Sequence, residues 1–272
     1  MSNGRCLKDY PSLPQLDISD VQTFNNRFIV DELQYNKEEM AKEHDILFKA
    51  LNDEQIHVYQ DIMTVVVSKK GGFFFLYGYG GTGKTFMWKT LSATLRSKGI
   101  IVLNVASSGI SYLLVPGGKT THFTFCIPLL INDESTCNIA QGSLRAKLLM
   151  ATNLIIWDEA PIINRMCFEA FDRTLRDIMR NVDDANNDKP FDGKAVVLGG
   201  DFRQILPVIK KGSRFDIIKS AINYSELWNC CKVLKLSKNM RLSTTTNNQT
   251  TNDIKEFAAA DYKYRFTFIV IG

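Results

Sequence analysis

The 272-residue sequence lacks the marks of several protein classes. Its six cysteines (Cys6, Cys126, Cys137, Cys167, Cys230 and Cys231) form no C-x-x-C pair, and its three histidines stand at no zinc-ligand spacing from them. That excludes a zinc site legible from spacing and fits a reduced intracellular chain. No secretory signal is present, and no apolar run is long enough to span a bilayer. The expectation is a soluble protein of the cytosol, nucleus or an organelle, with no membrane partner. There is no internal repeat. The stretch "STTTNNQTTN", Ser243 to Asn252, holds no apolar residue at all and reads as a linker or loop.

The composition is ordinary for a globular protein, with 45% hydrophobic and 23% charged residues. The net charge of +4 says little, but its distribution says more. Residues 1–61 hold 12 acidic and 6 basic residues, whereas residues 201–241 hold 9 basic and 3 acidic. A local basic segment suits a polyanion such as a nucleotide or nucleic acid, or forms a solvated charged face. Residues 1–45 are polar and irregular, with a charged helical stretch near Asp31 to His44. From about Leu51 apolar strand-like runs alternate with helical patterns. The strand candidates are Phe73–Tyr77, Ile100–Val105, Asn153–Trp157, Lys194–Leu198 and Lys232–Leu236. The helical patterns include Lys84–Ser97, Ser143–Met150 and Cys167–Asn181. This alternation predicts an α/β fold with a mostly parallel sheet covered on both faces.

In "FFFLYGYGGTGKTF", residues 73 to 86, a short aromatic strand runs into four glycines. Gly78-Tyr79-Gly80-Gly81-Thr82-Gly83-Lys84-Thr85 fits G-x-x-x-x-G-K-[ST], the P-loop pattern. The glycines let backbone N–H groups turn inward toward a phosphate, and the following helix aims its N-terminus at the same anion. Lys84 is expected to reach the β- and γ-phosphates of ATP, and the Thr85 hydroxyl to bind Mg²⁺. A second apolar strand, "LIIWDEAP", ends in two carboxylates. Asp158 is expected to hold Mg²⁺ and Glu159 to deprotonate the attacking water. A third strand runs into "GGDFRQ", where Gln204 suits a γ-phosphate or the attacking water. Arg203 reads either phosphate or its neighbour Asp201.

"VASSGISYLLVPGGKTTHFTF", residues 105 to 125, mixes hydroxyls, Lys119, His122 and rings. That mixture suits single-stranded nucleic acid, with hydroxyls and lysine on phosphates and rings stacking on bases. The plainer alternatives are a helix cap at Ser107 or Ser108, a structural His122, and Phe123 and Phe125 as core strand. "LNDEQ", residues 51 to 55, has the form of a capping box, with Asn52 as cap and Gln55 at the third helical position.

In this order, "LYGYGGTGKTF", "LIIWDEAP", "CFEAFDRTLRDI" and "VVLGGDFRQILPV" resemble the petite-integration-frequency (Pif-type) 5′-to-3′ DNA helicases, and look nearest to the plant branch related to the helicase ends of Helitron transposons. The resemblance covers roughly residues 9 to 258. It implies a RecA-like P-loop NTPase lobe that couples MgATP hydrolysis to stepping along single-stranded DNA and to unwinding forked duplex. It also implies roles in recombination, DNA-damage repair and telomere maintenance, and a nuclear setting. A monomer is the expected state. By resemblance Gln55 reads adenine, and Ser107, Thr120, Thr121 and His122 contact the DNA strand. Gln204 senses the γ-phosphate, and Arg241 in "LSKNMRL" reaches it from the start of a second lobe.

The resemblance further implies a division into a polar extension (1–45), the ATPase lobe (46–230), a second lobe only begun (231–242) and a linker with a divergent tail (243–272). On that division the alternative function is a single-lobe remnant that binds nucleotide, with or without DNA, and does not unwind. Three residues depart from the family pattern: Ser111 and Tyr112 replace a small apolar pair, and Phe123 replaces a serine. A P-loop small-molecule kinase would need a lid-like arginine cluster after Lys84, and none is present.

Overall fold

The computed structural model describes residues 26–180, 189–204 and 206–240. Arg241 and the expected linker and tail lie outside the described residues, as do residues 1–25. Six parallel strands form one sheet. They are β1 (Gly72–Gly78), β2 (Val102–Ala106), β3 (Lys119–Thr120), β4 (Leu154–Asp158), β5 (Ala195–Gly200) and β6 (Lys232–Leu236), in the order β3-β2-β4-β5-β1-β6.

Eight α-helices accompany them among the described residues: α1 (Arg27–Leu33), α2 (Lys37–Lys49), α3 (Asp53–Ser68), α4 (Lys84–Ser97), α5 (Thr121–Phe125), α6 (Leu144–Ala151), α7 (Arg165–Met179) and α8 (Arg214–Lys219). None is long and apolar enough to cross a membrane.

The sheet is buried on both faces, which is why its central strands read as continuous apolar runs rather than alternating ones. Along β1 the side chains part by turns. Phe73, Phe75 and Tyr77 join Trp157, Phe168, Phe171 and Phe125 on the side of α7. Phe74 and Leu76 join Met87, Trp88, Leu91 and Ile62 under α3 and α4. Tyr77 lies opposite Gly200, Trp157 opposite Leu198, and Ala106 opposite both Asp158 and Thr120. All these strands therefore end on one edge, and the loops that carry chemistry leave from it.

The helix ends follow local hydrogen-bond chemistry. The capping box at the start of α3 is formed: Gln55 N–H donates to Asn52 Oδ1 at 3.0 Å, and Asn52 N–H donates to Gln55 Oε1 at 3.1 Å. Ser143 and Asn164 cap α6 and α7, so those helices begin one residue after and two residues before the predicted starts. The charged stretch near Asp31 to His44 is two helices, because Asn36 breaks it and accepts from the Glu38 and Glu39 N–H groups.

The expected boundary at residues 45/46 falls inside α2, which packs against α4, so there is no structural division there. Segment 26–45 is also fastened to the lobe through α1. Its buried Glu32 carboxylate accepts from Lys119 Nζ at 2.7 Å and lies 3.7 Å from Arg96 of α4.

Candidate nucleotide and nucleic-acid site

The loop between β1 and α4 is shaped by what lies beneath it. Gly83 has φ of +89°, a conformation that favours glycine, and a Cβ there would meet Gln55 Nε2 at 2.5 Å. Gln55 is fully buried. Its Oε1 serves the capping box and its Nε2 donates to the Thr82 carbonyl at 3.3 Å. One bond at each end of the amide holds Gln55 beneath the P-loop, where it braces the loop and does not line the cleft above.

Above the loop a cleft of about 360 Å³ is lined by Tyr79, Gly80, Gly81, Gly83, Lys84, Thr85, Asp158, Glu159 and Gln204, together with Ser111, Leu114 and Met240. Three loops separated by up to about 120 residues in sequence therefore meet at one place, after β1, β4 and β5. Lys84 Nζ donates to the Gly78 carbonyl. Burial lowers the Lys84 pKa, while Asp158, Glu159 and Asp201 pull it back up.

Asp158 is 5% exposed, and burial pushes its carboxyl above the usual range. The Trp88 N–H and Lys84 partly oppose that rise. Even so, Trp88 Nε1 lies outside hydrogen-bond geometry, and Asp158 Oδ1 is a buried oxygen without a hydrogen-bond partner. Glu159 is raised by burial first and by Asp158 second. Its backbone is left-handed, with φ of +52°, an uncommon state for a residue with a side chain and one that recurs at functional sites.

These residues fit a magnesium nucleotide. The P-loop N–H groups and the start of the 14-residue α4 suit phosphate oxygens. The unpartnered Asp158 oxygen and the Thr85 hydroxyl suit a hydrated divalent cation. Among the described residues no cluster of three or more His, Cys, Asp and Glu is arranged around a metal. Mg²⁺ fits such a site, since it keeps much of its water and takes one or two carboxylates plus phosphate.

Of the two readings of Arg203, the structure favours the bridge. Its guanidinium pairs with Asp201 at 2.9–3.2 Å and lies 5.2 Å from the centre of the Tyr79 ring. Gln204 is exposed and faces the cleft.

A strap seen only in the structure crosses the P-loop after β6. Tyr79 donates to the Ser237 carbonyl at 2.5 Å, and Met240 N–H donates to the Gly81 carbonyl at 2.8 Å. The Glu54 carboxylate accepts from the Ser237 N–H, the Ser237 hydroxyl and the Lys238 N–H.

The expected strand-contact residues lie on the same edge, towards β3. Ser107 N–H donates to the Asp158 carbonyl at 3.1 Å, and its hydroxyl accepts from Trp157 Nε1 at 2.9 Å. Thr120 ends β3 and is half-buried, as is His122, whose pKa burial lowers. Thr121 is fully buried, so its side chain cannot reach a strand and belongs to the core. Lys119 spends its ammonium on Glu32. Phe125 is core, stacked on Phe171 at 3.9 Å, whereas Phe123 is exposed. The single stretch "HFTF" thus holds both outcomes that its sequence left open.

A parallel sheet with a P-loop after β1 and paired acids after β4, one strand removed across β5, defines a RecA-like P-loop NTPase lobe. More narrowly, the chain belongs to the PIF1-like helicase family, whose model matches residues 50–262. It is 30% identical over 156 residues to the ATP-dependent DNA helicase PIF1 of Trypanosoma brucei brucei, a match covering 57% of this chain and 14% of that protein. It is 29% identical over 189 residues to the ATP-dependent DNA helicase RRM3 of Saccharomyces cerevisiae, covering 66% of this chain and 24% of that one. The matched region is thus about a quarter or less of the length of these relatives. A Pif1 structure from Bacteroides with ADP-AlF3 and single-stranded DNA aligns with a TM-score of 0.59 at 24% identity, covering 77% of this chain and 46% of that one. A structure of two coordinating Pif1 helicases at forked duplex DNA aligns with a TM-score of 0.58 at 25% identity, covering 76% and 48%.

Proposed function

We propose that this chain carries the nucleotide-hydrolysing lobe of an ATP-dependent DNA helicase, which couples MgATP hydrolysis to movement along single-stranded DNA and to unwinding of forked duplex. The observation that carries the reading is the meeting of Lys84, Thr85, Asp158, Glu159 and Gln204 in one cleft. Gly78, Gly80, Gly81, Thr82 and Gly83 cradle the phosphates through their backbone. Lys84 leaves the Gly78 carbonyl for the β- and γ-phosphates. Thr85 and Asp158 hold Mg²⁺, which neutralises charge building on the transferred phosphoryl group. Glu159 accepts a proton from water as the water oxygen bonds to the γ-phosphorus and the bond to the β-phosphate oxygen breaks, releasing ADP and phosphate.

Gln204 orients that water or the γ-phosphate. Arg241 is assigned to the same phosphate; the support is that its chain neighbour Met240 is bonded to Gly81. Ser107, Thr120 and His122 are assigned to the DNA strand. Ser107 also links the two functions, since its backbone bonds that of Asp158. Action in the nucleus, in recombination, repair and telomere maintenance, belongs to the same proposal and rests on family resemblance; imaging a tagged chain checks the compartment.

The test is Glu159→Gln, assayed for MgATP turnover with and without single-stranded DNA and for MgATP binding. Turnover should fall at least about 100-fold while binding persists. Unchanged turnover would overturn the assignment.

A further inference from the structure

The segment that ends β3 and forms α5 presents one large ring to solvent. Phe123 is 62% exposed, although its neighbours Thr121, Thr124 and Phe125 are all buried. The ring is not loose. The Arg145 guanidinium, from the first turn of α6, lies 4.9 Å from its centre and donates to the carbonyls of Phe123 and Thr124. Arg145 is itself steadied by Phe28 of α1, 5.3 Å from that ring's centre. Arg145 of α6, backed by Phe28 of α1, therefore holds one exposed aromatic of α5 in place. An isolated surface apolar residue needs no such bracing.

We infer that Phe123 is a stacking platform for a base of single-stranded DNA, with Arg145 fixing its ring and adding positive charge beside the strand's phosphates. The inference rests on the helicase reading and extends it to a residue that reading does not use. Three observations carry it. The platform stands on the same sheet edge as the nucleotide cleft, reached from Asp158 through Ser107 to the β2–β3 pair. Thr120 and His122, near it in the chain and half-exposed, supply polar groups for the strand's backbone. A braced ring loses little freedom on stacking, and every base has a face to offer it, so the contact tolerates any sequence.

The experiment is fluorescence anisotropy of a labelled oligothymidylate titrated with the protein at several salt concentrations, for wild type, Phe123→Ala and Phe123→Trp. Loss of one base stack should weaken binding about 5- to 150-fold in Phe123→Ala. The salt slope should not change, because no phosphate contact is removed. Phe123→Trp should bind at least as well as wild type, and basal ATP turnover should be the same in all three.

Wild-type affinity in Phe123→Ala overturns the inference and leaves the helicase reading standing. So does a weaker affinity accompanied by a shallower salt slope, which would make the contact one to phosphate. A change in the oligomeric state of Phe123→Ala by light scattering, with DNA affinity intact, assigns the ring to a protein interface and also overturns it. Failure of wild type to bind the oligonucleotide under conditions where it binds MgATP sinks the inference together with the DNA part of the helicase reading.

Discussion

Glu159 combines a strained backbone, a raised pKa and a neighbour of like charge, and the three have one cause. The chain must turn sharply after β4 to leave both carboxylates at the cleft, and burial there disfavours their charged forms. The sign of the pH effect follows. A raised pKa keeps Glu159 protonated to higher pH than an ordinary glutamate, and only the deprotonated form accepts a proton from water. Turnover should therefore rise with pH along an acid limb lying above the usual carboxylate range. A pH–rate profile for MgATP hydrolysis measures it, and Asp158→Asn should shift that limb to lower pH in whatever activity remains. Thiol chemistry gives an independent check on the fold. Burial pushes Cys137 and Cys167 up to about 12, whereas Cys230 is exposed. Among the described cysteines a thiol reagent at neutral pH should label Cys230 first, read by peptide mass, and leave Cys137 and Cys167 unlabelled until denaturant is added.

Among the elements, α1 and the start of α3 bear the most on the site for their length. Glu32 of α1 ties the end of the P-loop helix to β3 through Lys119, with Arg96 lying 4.0 Å from the centre of the Tyr35 ring. Removing its charge takes from buried Arg96 the one carboxylate within 4 Å among the described residues and leaves Glu43 further off. Glu32→Gln should destabilise the protein by about 3–5 kcal/mol, seen as a lower urea midpoint. Asn52→Ala removes one half of the capping box and should cost about 1 kcal/mol. Because Gln55 braces Thr82 from the same turn, Asn52→Ala should also weaken MgATP binding, whereas a cap remote from the loop such as Asn36→Ala should not.

For the whole molecule, one edge of one sheet gathers everything that acts, and the sheet below it is a continuous core. Binding at that edge should stabilise the entire lobe, since a ligand that binds only the folded state shifts the unfolding equilibrium by mass action. At about 100 times its Kd, MgATP should add about 2.7 kcal/mol, read as a rise in thermal midpoint. Lys84→Ala should fold with a similar midpoint and lose that increment.

Much of this was legible in the sequence. The strand at Lys232–Leu236 and the P-loop helix at Lys84–Ser97 have the predicted bounds, because long apolar periodicity and a glycine-to-helix transition are local signals. The β3–α5 step was not legible, since two strand residues and five helical ones carry no period. Nor could the chain between Asp31 and His44 be read as part of the lobe, because the partners of Glu32 lie 64 and 87 residues away.

The sequence by itself determined the chemistry available: a phosphate loop, two carboxylates after a strand, a glutamine after another, and the family they belong to. Which of those groups face a ligand was settled only by tertiary structure. Gln55 and Thr121 carry polar groups suited to ligands, yet they are buried; Phe123 and Phe125 are the same residue two positions apart, yet one is core and the other faces solvent. Exposure is a property of what packs on a residue from elsewhere in the chain, and no local pattern encodes it.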